Sequence, residues 1–201
     1  MSVELNKYRE LHRVSKVVRD EMDYEINSGE SNPVIFEDLV EELLERFPNP
    51  VIWEPFAGHN GRSKNFDFCE DIGVELIAYD IAPFDFRVEQ KDSTTEGPDK
   101  KIEGAFFHPP YYGAFKMSEK SKELSNILDD SVYWQELGKT IKLAYDNMVV
   151  GGLVAAIGRD YRFNGKRIRF DHLTLEHFSK QGFKLIEVWS SEPDVVQIFE
   201  R

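Results

Sequence analysis

The sequence contains only one cysteine, Cys69, among its 201 residues. A single thiol cannot form an intrachain disulfide, and it excludes a metal site built from cysteines. The five histidines are dispersed along the chain, and the His-Glu-x-x-His pattern of zinc ligands on one helix is absent. We therefore expect no metal in the functional site.

Other familiar signals are also missing. No apolar run approaches the length that spans a membrane, and the N-terminal residues lack the apolar core of a signal peptide. The chain lacks the Gly-x-Ser-x-Gly motif of serine hydrolases and the Gly-x-Gly-x-x-Gly motif of dinucleotide-binding proteins. These absences predict a cytoplasmic protein without a membrane partner, and they disfavour both of those enzyme classes.

Apolar and aromatic residues, by contrast, are plentiful. The chain is 41% hydrophobic and has 15 Phe and 8 Tyr, which is enough for a well-packed core. Its length favours one domain over two. Apolar residues at helical spacing predict a helical segment over residues 1–47, with helices at Leu5–Tyr24 and Val34–Phe47, that packs on or precedes a core over residues 48–201.

Strand and helix patterns alternate along that core. The predicted strands are Val51–Trp53, Val74–Tyr79, Phe86–Glu89, Gly104–Phe107, Leu153–Ile157, Phe183–Trp189 and Val195–Phe199; the predicted helices are Lys64–Asp71, Trp134–Met148 and Leu173–Lys180. Such alternation predicts an α/β fold with a mostly parallel sheet covered by helices on both faces. The last two strands have a short connection, so they cannot be parallel neighbours. We therefore expect a three-layer sandwich whose seven-stranded sheet ends in an antiparallel hairpin strand.

Acidic residues and glycines follow the first predicted strands. In open α/β sheets, ligands bind beyond the carboxyl ends of the strands. The first strand runs into Glu54, and Gly58 and Gly61 then permit close approach of the backbone to a ligand. Asp80 ends the second strand, where an acid accepts hydrogen bonds from ribose hydroxyls, and Asp92 after the third could accept one from an adenine amino group. The glycines could instead form an ordinary turn, and the acids could be helix caps or solvated charges.

The four residues His108-Pro109-Pro110-Tyr111 follow the apolar run Ala105-Phe106-Phe107. Consecutive prolines remove two backbone donors and fix two φ angles. Each proline also pushes the residue before it towards extended geometry. The product is a rigid ledge lined by carbonyl oxygens beside an aromatic ring, which suits a flat polar group that must be held and polarised.

These two loops resemble the signature motifs of the class I S-adenosylmethionine-dependent DNA amino-methyltransferases. Glu54-Pro55-Phe56-Ala57-Gly58-His59-Asn60-Gly61 is similar to the cofactor loop, and His108-Pro109-Pro110-Tyr111 is similar to the loop for the target base. The stretches Ile157–Asp160 and Gly165–Arg167 are also similar, and the likeness covers roughly residues 32–189. The resemblance implies the Rossmann-like class I methyltransferase fold, S-adenosylmethionine as the cofactor, and methyl transfer to an exocyclic amine, adenine N6 or cytosine N4 of DNA.

The resemblance also implies roles for individual residues. Cofactor contacts are implied for Glu54, Phe56, Gly58, Asn60, Gly61, Asp80, Ile81 and Asp92, and catalytic roles for His108, Pro109, Pro110 and Tyr111. The Pro109 carbonyl and His108 would accept hydrogen bonds from the target amine, Tyr111 would stack on the base, and Tyr112 would lie at the substrate. Because the lone pair of such an amine is delocalised into the ring, orientation and hydrogen bonding are the main catalytic tools.

The chain departs from the family pattern at two positions. Glu54 replaces the usual Asp, with one extra residue before the later glycine, and His108 replaces the usual Asp, Asn or Ser before the two prolines. A neutral imidazole can accept a hydrogen bond, whereas an imidazolium cannot. We therefore expect activity to fall as the pH drops through the ordinary titration range of histidine.

One segment locally reverses the charge of the chain. The chain as a whole has 25 Lys and Arg against 37 Asp and Glu, a formal net charge of −12, which disfavours nonspecific attraction to polyphosphate. Against this background, five basic residues surround one acid, Asp160: Arg159, Arg162, Lys166, Arg167 and Arg169. This basic loop is a candidate contact for nucleic acid, DNA first, although a solvated loop on an acidic surface has the same pattern. A base in a duplex would have to be flipped out to reach the site.

Little sequence remains for target recognition. Recognition is expected from the N-terminal helices, from the polar segment Met117–Ser131, or from a second subunit or homodimer. Two other functions stay open. One is methylation of RNA or of a protein glutamine, and the other is a noncatalytic binding subunit with the methyltransferase fold.

Overall fold

The computed structural model describes residues 33–58, 64–83, 85–113, 118–120, 122–191 and 194–201. The predicted helix Leu5–Tyr24 and the predicted cofactor residues Asn60 and Gly61 lie outside these residues. The α-helices described are α1 (Pro33–Arg46), α2 (Lys64–Ile72), α3 (Asp130–Asn147) and α4 (Phe170–Gln181). The strands are β1 (Val51–Glu54), β2 (Glu75–Asp80), β3 (Glu89–Gln90), β4 (Ile102–Phe107), β5 (Met148–Gly158), β6 (Tyr161–Phe163), β7 (Lys166–Ile168), β8 (Lys184–Ser191) and β9 (Asp194–Glu200). None of these helices is long and apolar enough to cross a bilayer.

Seven strands form one sheet in the order β3-β2-β1-β4-β5-β9-β8. The pairs from β3 to β5 are parallel, whereas β9 runs antiparallel to both β5 and β8. The expected mostly parallel sheet with an antiparallel C-terminal hairpin strand is confirmed, and β9 lies inside the sheet with β8 at its edge. The strand order reverses between β1 and β4, which is where ligands bind in sheets of this kind.

Alternate residues of the central strands pack into two different layers. Trp53 and Phe107 belong to the core under α3 and α4, whereas Ile52 and Phe106 belong to the core under α1. All four side chains are buried. This alternation of period two produces the three-layer sandwich, and burial of each such side chain contributes about 1.5–3 kcal/mol. Because the strand centres are covered, the candidate site residues lie at the strand ends.

Each element predicted within the described residues is present, with ends that differ by a few residues. Helix α3 begins at Asp130 rather than at Trp134 because the Asp129 carboxylate accepts a 3.1 Å hydrogen bond from the main-chain N–H of Val132. Such a cap satisfies a donor that has no partner within the helix. Strand β3 has only two residues, at the end of the predicted Phe86–Glu89.

The segment expected to be a basic loop folds as a hairpin. Strands β6 and β7 pair antiparallel, with Arg162 opposite Arg167. The turn between them is Asn164-Gly165, with φ angles of 48° and 75°. Two consecutive positive φ angles are the geometry that an Asn-Gly pair favours in a two-residue hairpin. That dipeptide was the available sequence signal for the hairpin.

Candidate active site

A buried acid at the end of β1 ties the first loop to the helix that follows it. Glu54 is 1% exposed, and both of its carboxylate oxygens accept hydrogen bonds from Asn65 Nδ2 of α2, at 3.1 and 3.2 Å. Burial first, and then the charges of Glu54 and Glu70, raise the pKa of the Cys69 thiol to about 12. That thiol is therefore protonated and unreactive near neutral pH. The predicted cofactor residue Glu54 is thus also a structural anchor for α2.

The acid at the end of β2 contacts the same loop. Asp80 Oδ2 accepts a 3.1 Å hydrogen bond from the Gly58 N–H, and Oδ1 accepts one of 2.8 Å from the Ala82 N–H. Gly58 has a φ of 90°, in the region that favours glycine. Ile81, between Asp80 and Ala82 in the chain, is partly buried. Its carbonyl accepts a 3.2 Å hydrogen bond from Gln90 Nε2. The structure therefore brings the first loop and Asp80 together, while their contact with a cofactor stays a prediction.

Asp92, after β3, is already engaged in this structure. Its Oδ1 accepts hydrogen bonds from the Thr94 N–H at 3.0 Å and from Thr94 Oγ1 at 2.6 Å, and its Oδ2 lies 3.2 Å from Lys122 Nζ. Burial opposes the charge, but Thr94 and Lys122 outweigh burial and hold the pKa of Asp92 below its ordinary value. Its neighbour Ser93 donates a 2.7 Å hydrogen bond to the Pro55 carbonyl, so this loop is also joined to the first one.

The ledge after β4 has one anchored carbonyl and one without a donor. The hydroxyl of Tyr133, a buried residue of α3, donates a 2.9 Å hydrogen bond to the carbonyl of Pro110. Pro109 is buried, and no other described residue donates a hydrogen bond to its carbonyl. The ledge is therefore fixed at its second proline, and the carbonyl predicted to accept from a target amine is the one without a donor.

The electrostatics of His108 differ from the expectation. Its ring lies 6.3 Å from the Tyr111 ring, at an angle of 65°. Burial first, and then the nearby Arg159 cation, lower the pKa of His108 to about 4. The imidazole is therefore neutral at physiological pH and able to accept a hydrogen bond. This environment moves the expected fall in activity to a pH below the ordinary histidine range.

Tyr111 is supported on two sides by other rings. Its ring packs edge-on against Phe170, with centroids 4.6 Å apart, and lies 5.3 Å from the Tyr161 ring at a tilt of 34°. Its hydroxyl is buried and has no well-aligned hydrogen-bond partner among the described residues, although Arg159 is close enough to interact with it. Burial first, and then the charge of Asp194, raise the pKa of this phenol. Tyr111 is thus a rigid ring whose polar end faces the protein interior.

Tyr112, which the sequence placed at the substrate, belongs mainly to the core. It is 3% exposed, and its ring packs on those of Tyr133 and Phe163, at 5.1 and 5.7 Å. Its carbonyl accepts a 3.0 Å hydrogen bond from the Tyr161 hydroxyl. Next to it, Gly113 has a φ of 66°, and a Cβ there would lie 2.4 Å from the Phe163 ring. The apolar side of the β6–β7 hairpin therefore packs on the ledge, which explains why Tyr112 is buried there.

Arg159 is not a free member of a basic surface. Its Nε lies 2.8 Å from Oδ1 of Asp194, within ion-pair distance although the N–H is not aimed at the oxygen. Asp194 is 3% exposed. Burial first raises the pKa of Asp194, and Arg159 opposes that effect. No local sequence pattern indicates this pair, because its members are distant along the chain and meet only when β9 lies beside β5.

The other four basic residues also differ from one another. Arg167 donates to Asp160 Oδ2 from Nε and from a terminal nitrogen, at 3.0 and 2.8 Å, and Arg169 contacts His172. Arg162 and Lys166 are exposed and form no ion pair with another described residue. The five positions therefore form no single patch of free charge. Within the described residues there is also no cluster of three or more His, Cys, Asp or Glu that could hold a metal ion.

A scan against models of known protein families gives no match, and neither does a sequence search of curated proteins. Solved structures do match. A 1,6-didemethyltoxoflavin-N1-methyltransferase of Burkholderia thailandensis, solved with 1,6-didemethyltoxoflavin and S-adenosylhomocysteine, matches at a TM-score of 0.55 and 12% identity, over 99% of this chain and 87% of that one. The N-methyltransferase NodS of Bradyrhizobium japonicum, solved with S-adenosylhomocysteine, matches at 0.53 and 10%, over 98% of each chain.

A third match is the sugar N-methyltransferase KedS8 of a Streptoalloteichus species, at a TM-score of 0.54 and 10% identity, over 92% of this chain and 98% of that one. At such identities the likeness shows the fold and nothing more specific. This chain has the Rossmann-like class I methyltransferase fold. The targets named for these proteins differ, so the likeness does not select a substrate.

Proposed function

We propose that this chain is an S-adenosylmethionine-dependent methyltransferase that acts on an exocyclic amine of a nucleic-acid base, with adenine N6 or cytosine N4 of DNA as the first candidates. The observation that carries this proposal is the contact between the two loops. The Phe56 ring, in the first loop, packs edge-on against Phe107, with centroids 5.8 Å apart. Phe107 directly precedes His108, and β1 pairs in parallel with β4, so both loops leave the same end of the sheet.

The cofactor half of the proposal rests on the acids at that end. Asp80 and Gly58 lie together, and Asp92 belongs to a loop that is bonded to the first one through Ser93 and Pro55. The Asp80 carboxylate would accept hydrogen bonds from ribose hydroxyls, and the Asp92 carboxylate would accept one from the adenine amino group. Gly58 would let the backbone approach the ligand closely. When bound, S-adenosylmethionine would supply a methyl group on a sulfonium, which is electrophilic enough for a weak nitrogen nucleophile. Two of the similar structures contain S-adenosylhomocysteine, which supports this choice.

The transfer half assigns separate tasks to the ledge. The Pro109 carbonyl, which lacks a donor among the described residues, and the neutral His108 ring would each accept a hydrogen bond from the target amine. Two such bonds turn the amine so that its lone pair points at the methyl group. The Tyr111 ring, held by Phe170 and Tyr161, would stack on the base. These residues act by orientation and electrostatics, and none of them needs to remove a proton before transfer.

We further propose that nucleic acid contacts the outer side of the β6–β7 hairpin. Arg162 and Arg167 face each other across the strands, and Lys166 is exposed beside them. The apolar side of the same hairpin packs on Tyr112 and Gly113. Phosphates bound to the hairpin would therefore lie next to the ledge, as substrate recognition requires.

The first experiment is isothermal titration of the protein with S-adenosylmethionine and S-adenosylhomocysteine. We expect micromolar binding, and at least tenfold weaker binding for Asp80→Ala, since a ribose acceptor would be lost. Asp80→Asn keeps the size of the side chain and separates lost charge from a disturbed loop. Asp146→Ala, an exposed acid of α3 that pairs with Lys142, is the matched control and should bind like the wild type. Absence of binding in the wild type would refute the proposed enzyme and favour a noncatalytic subunit.

The second experiment is a transfer assay with S-adenosylmethionine labelled in its methyl group. Duplex DNA, single-stranded DNA, RNA and protein are tested separately, followed by nucleoside analysis of the labelled product. Label in N6-methyladenine or N4-methylcytosine supports the proposal, and both should disappear in His108→Ala, which removes the side-chain acceptor, and in Tyr111→Ala, which removes the stacking ring. Label only in RNA or in a protein glutamine would retain the amine chemistry and refute the DNA target.

A further inference from the structure

Arg159 and Asp194 face each other because of the sheet topology. Arg159 directly follows the last residue of β5, and Asp194 is the first residue of β9. These strands are antiparallel neighbours, with Gly158 opposite Val195. The end of one strand therefore lies beside the start of the other, and Arg159 Nε is 2.8 Å from Asp194 Oδ1.

The surroundings of this pair connect it to the ledge. The Asp194 side chain is only 4% exposed, whereas that of Arg159 is 30% exposed. Both charges act on the Tyr111 hydroxyl, which is buried and has no aligned hydrogen-bond partner among the described residues. Strand β5 is also the parallel neighbour of β4, with Phe107 opposite Ala156, so Arg159 leaves the sheet at the same end as His108, and its charge acts on the His108 ring. The pair thus lies at the end of the sheet from which the ledge leaves, the end that carries the two side chains that the proposed function places at the target base.

We propose that Arg159 and Asp194 form a positioning pair for the ledge, which fixes the polar end of Tyr111 and keeps a cation beside the His108 ring. The effect of the pair on methyl transfer rests on the proposed function, whereas its effect on the pKa of His108 can be measured without any substrate. The pair differs from a phosphate contact, because a guanidinium that already neutralises a buried carboxylate has little net charge to offer a phosphate. Removal of one member would leave the other charge uncompensated, which is costly for a buried pair.

The direct test is an NMR titration of the His108 side chain. In the wild type we expect the imidazole to titrate at about pH 4. In Arg159→Gln/Asp194→Asn, both charges are replaced by amides of similar shape, so the fold is retained without a buried unpaired charge. The cation that disfavours the imidazolium is then gone, and the pKa of His108 should rise by about one unit or more. The single variant Arg159→Lys, which leaves Asp194 in place, retains a cation, so the pKa of His108 should stay close to the wild-type value.

A matched pair on the hairpin serves as the control for the titration. Asp160 and Arg167 form an ion pair at the same distance, 2.8 Å, but neither acts on His108. Asp160→Asn/Arg167→Gln should therefore leave the pKa of His108 unchanged. Equal pKa values in the wild type and in Arg159→Gln/Asp194→Asn would overturn the proposal, and so would a wild-type pKa near 6.5.

A kinetic measurement tests the positioning of Tyr111. In Arg159→Gln/Asp194→Asn we expect kcat for methyl transfer to fall at least tenfold, while the Kd for S-adenosylhomocysteine stays unchanged. An unchanged kcat at pH 8, where His108 is neutral in every variant, would remove the role in positioning Tyr111. If the wild type transfers no methyl group to any substrate, the proposed function fails, and the NMR titration still decides whether the pair controls His108.

Discussion

The Tyr133 hydroxyl and the Pro110 carbonyl form a 2.9 Å hydrogen bond between α3 and the ledge. Tyr133 is fully buried, so the bond fixes the ledge from the protein interior. The neighbouring Pro109 carbonyl has no donor among the described residues. Two successive carbonyls that look alike in the sequence therefore differ in their bonding: Tyr133 anchors the one, and the proposed function assigns the other to the target amine.

Tyr133→Phe tests the anchor. The substitution leaves the partly buried Pro110 carbonyl without a donor, which should lower the free energy of unfolding by about 1–3 kcal/mol and Tm by roughly 2–12 °C. Calorimetry measures the difference. Tyr145→Phe, on the same helix, is the control, because the Tyr145 hydroxyl has no hydrogen-bond partner among the described residues. Equal Tm values for the two variants would show that the bond to Pro110 contributes nothing.

The pH dependence of the reaction tests the state of His108. With a pKa of about 4, the imidazole remains neutral, so the rate should be flat between about pH 5.5 and 8 and should fall only towards pH 4. Because this pKa is depressed on folding, the contribution of His108 to stability is present above the ordinary pKa of 6.5 and is lost as the pH falls towards 4. Rates measured in overlapping buffers give the profile. A rate that halves near pH 6.5 would contradict the lowered pKa of this ring, and His108→Asn, which cannot titrate, shows any contribution from other groups.

The sheet could be predicted because its signals are local. The apolar runs that contain Trp53 and Phe107 mark buried strands, and a proline pair or an acid at a strand end is visible in a few letters. The pairing of Arg159 with Asp194 depends on which strand lies beside β5, which no short pattern encodes. The pKa of His108 could not be predicted for the same reason, since it depends on burial and on that distant arginine. The hairpin at Asn164-Gly165 does have a local signal in that dipeptide, but the charged residues on either side of it have the composition of a loop.

Lys122 offers a test of the cofactor half. Its ammonium lies 3.2 Å from Asp92 Oδ2, the group proposed to accept from the adenine amine. Lys122 and the ligand would compete for that oxygen, so Lys122→Ala should strengthen binding of S-adenosylhomocysteine. The Lys122 side chain is 67% exposed, and exposed ion pairs contribute at most about 1 kcal/mol. The gain should therefore not exceed about fivefold.

Two companion variants make the Lys122 result specific. Lys120→Ala removes a nearby charge that forms no ion pair with another described residue, and its Kd should equal that of the wild type. Asp92→Asn should weaken binding, and Lys122→Ala in that background should have no further effect. Weaker binding in Lys122→Ala alone would instead make the lysine a ligand contact.

The basic hairpin gives a prediction about salt dependence. Each phosphate contact contributes about 0.9 to the slope of log K against log salt. Arg162 and Lys166 are exposed and have no ion pair with another described residue, so Arg162→Ala/Lys166→Ala should reduce the slope by about 2. Arg167 already pairs with Asp160, and Arg167→Ala should have a smaller effect than either residue of that double variant. Fluorescence anisotropy of a labelled duplex, titrated at several salt concentrations, measures these slopes.

Loss of charge alone must be separated from loss of a contact. Lys139→Ala/Lys142→Ala removes two positive charges from the exposed side of α3 and makes the same change in net charge. If the hairpin binds phosphates, this control lowers affinity only slightly and keeps the wild-type slope, because long-range attraction is screened within about 10 Å at 0.1 M salt. Equal slopes for the two double variants would mean that net charge alone sets the affinity. The hairpin would then lose its role in binding, and recognition would have to come from another surface.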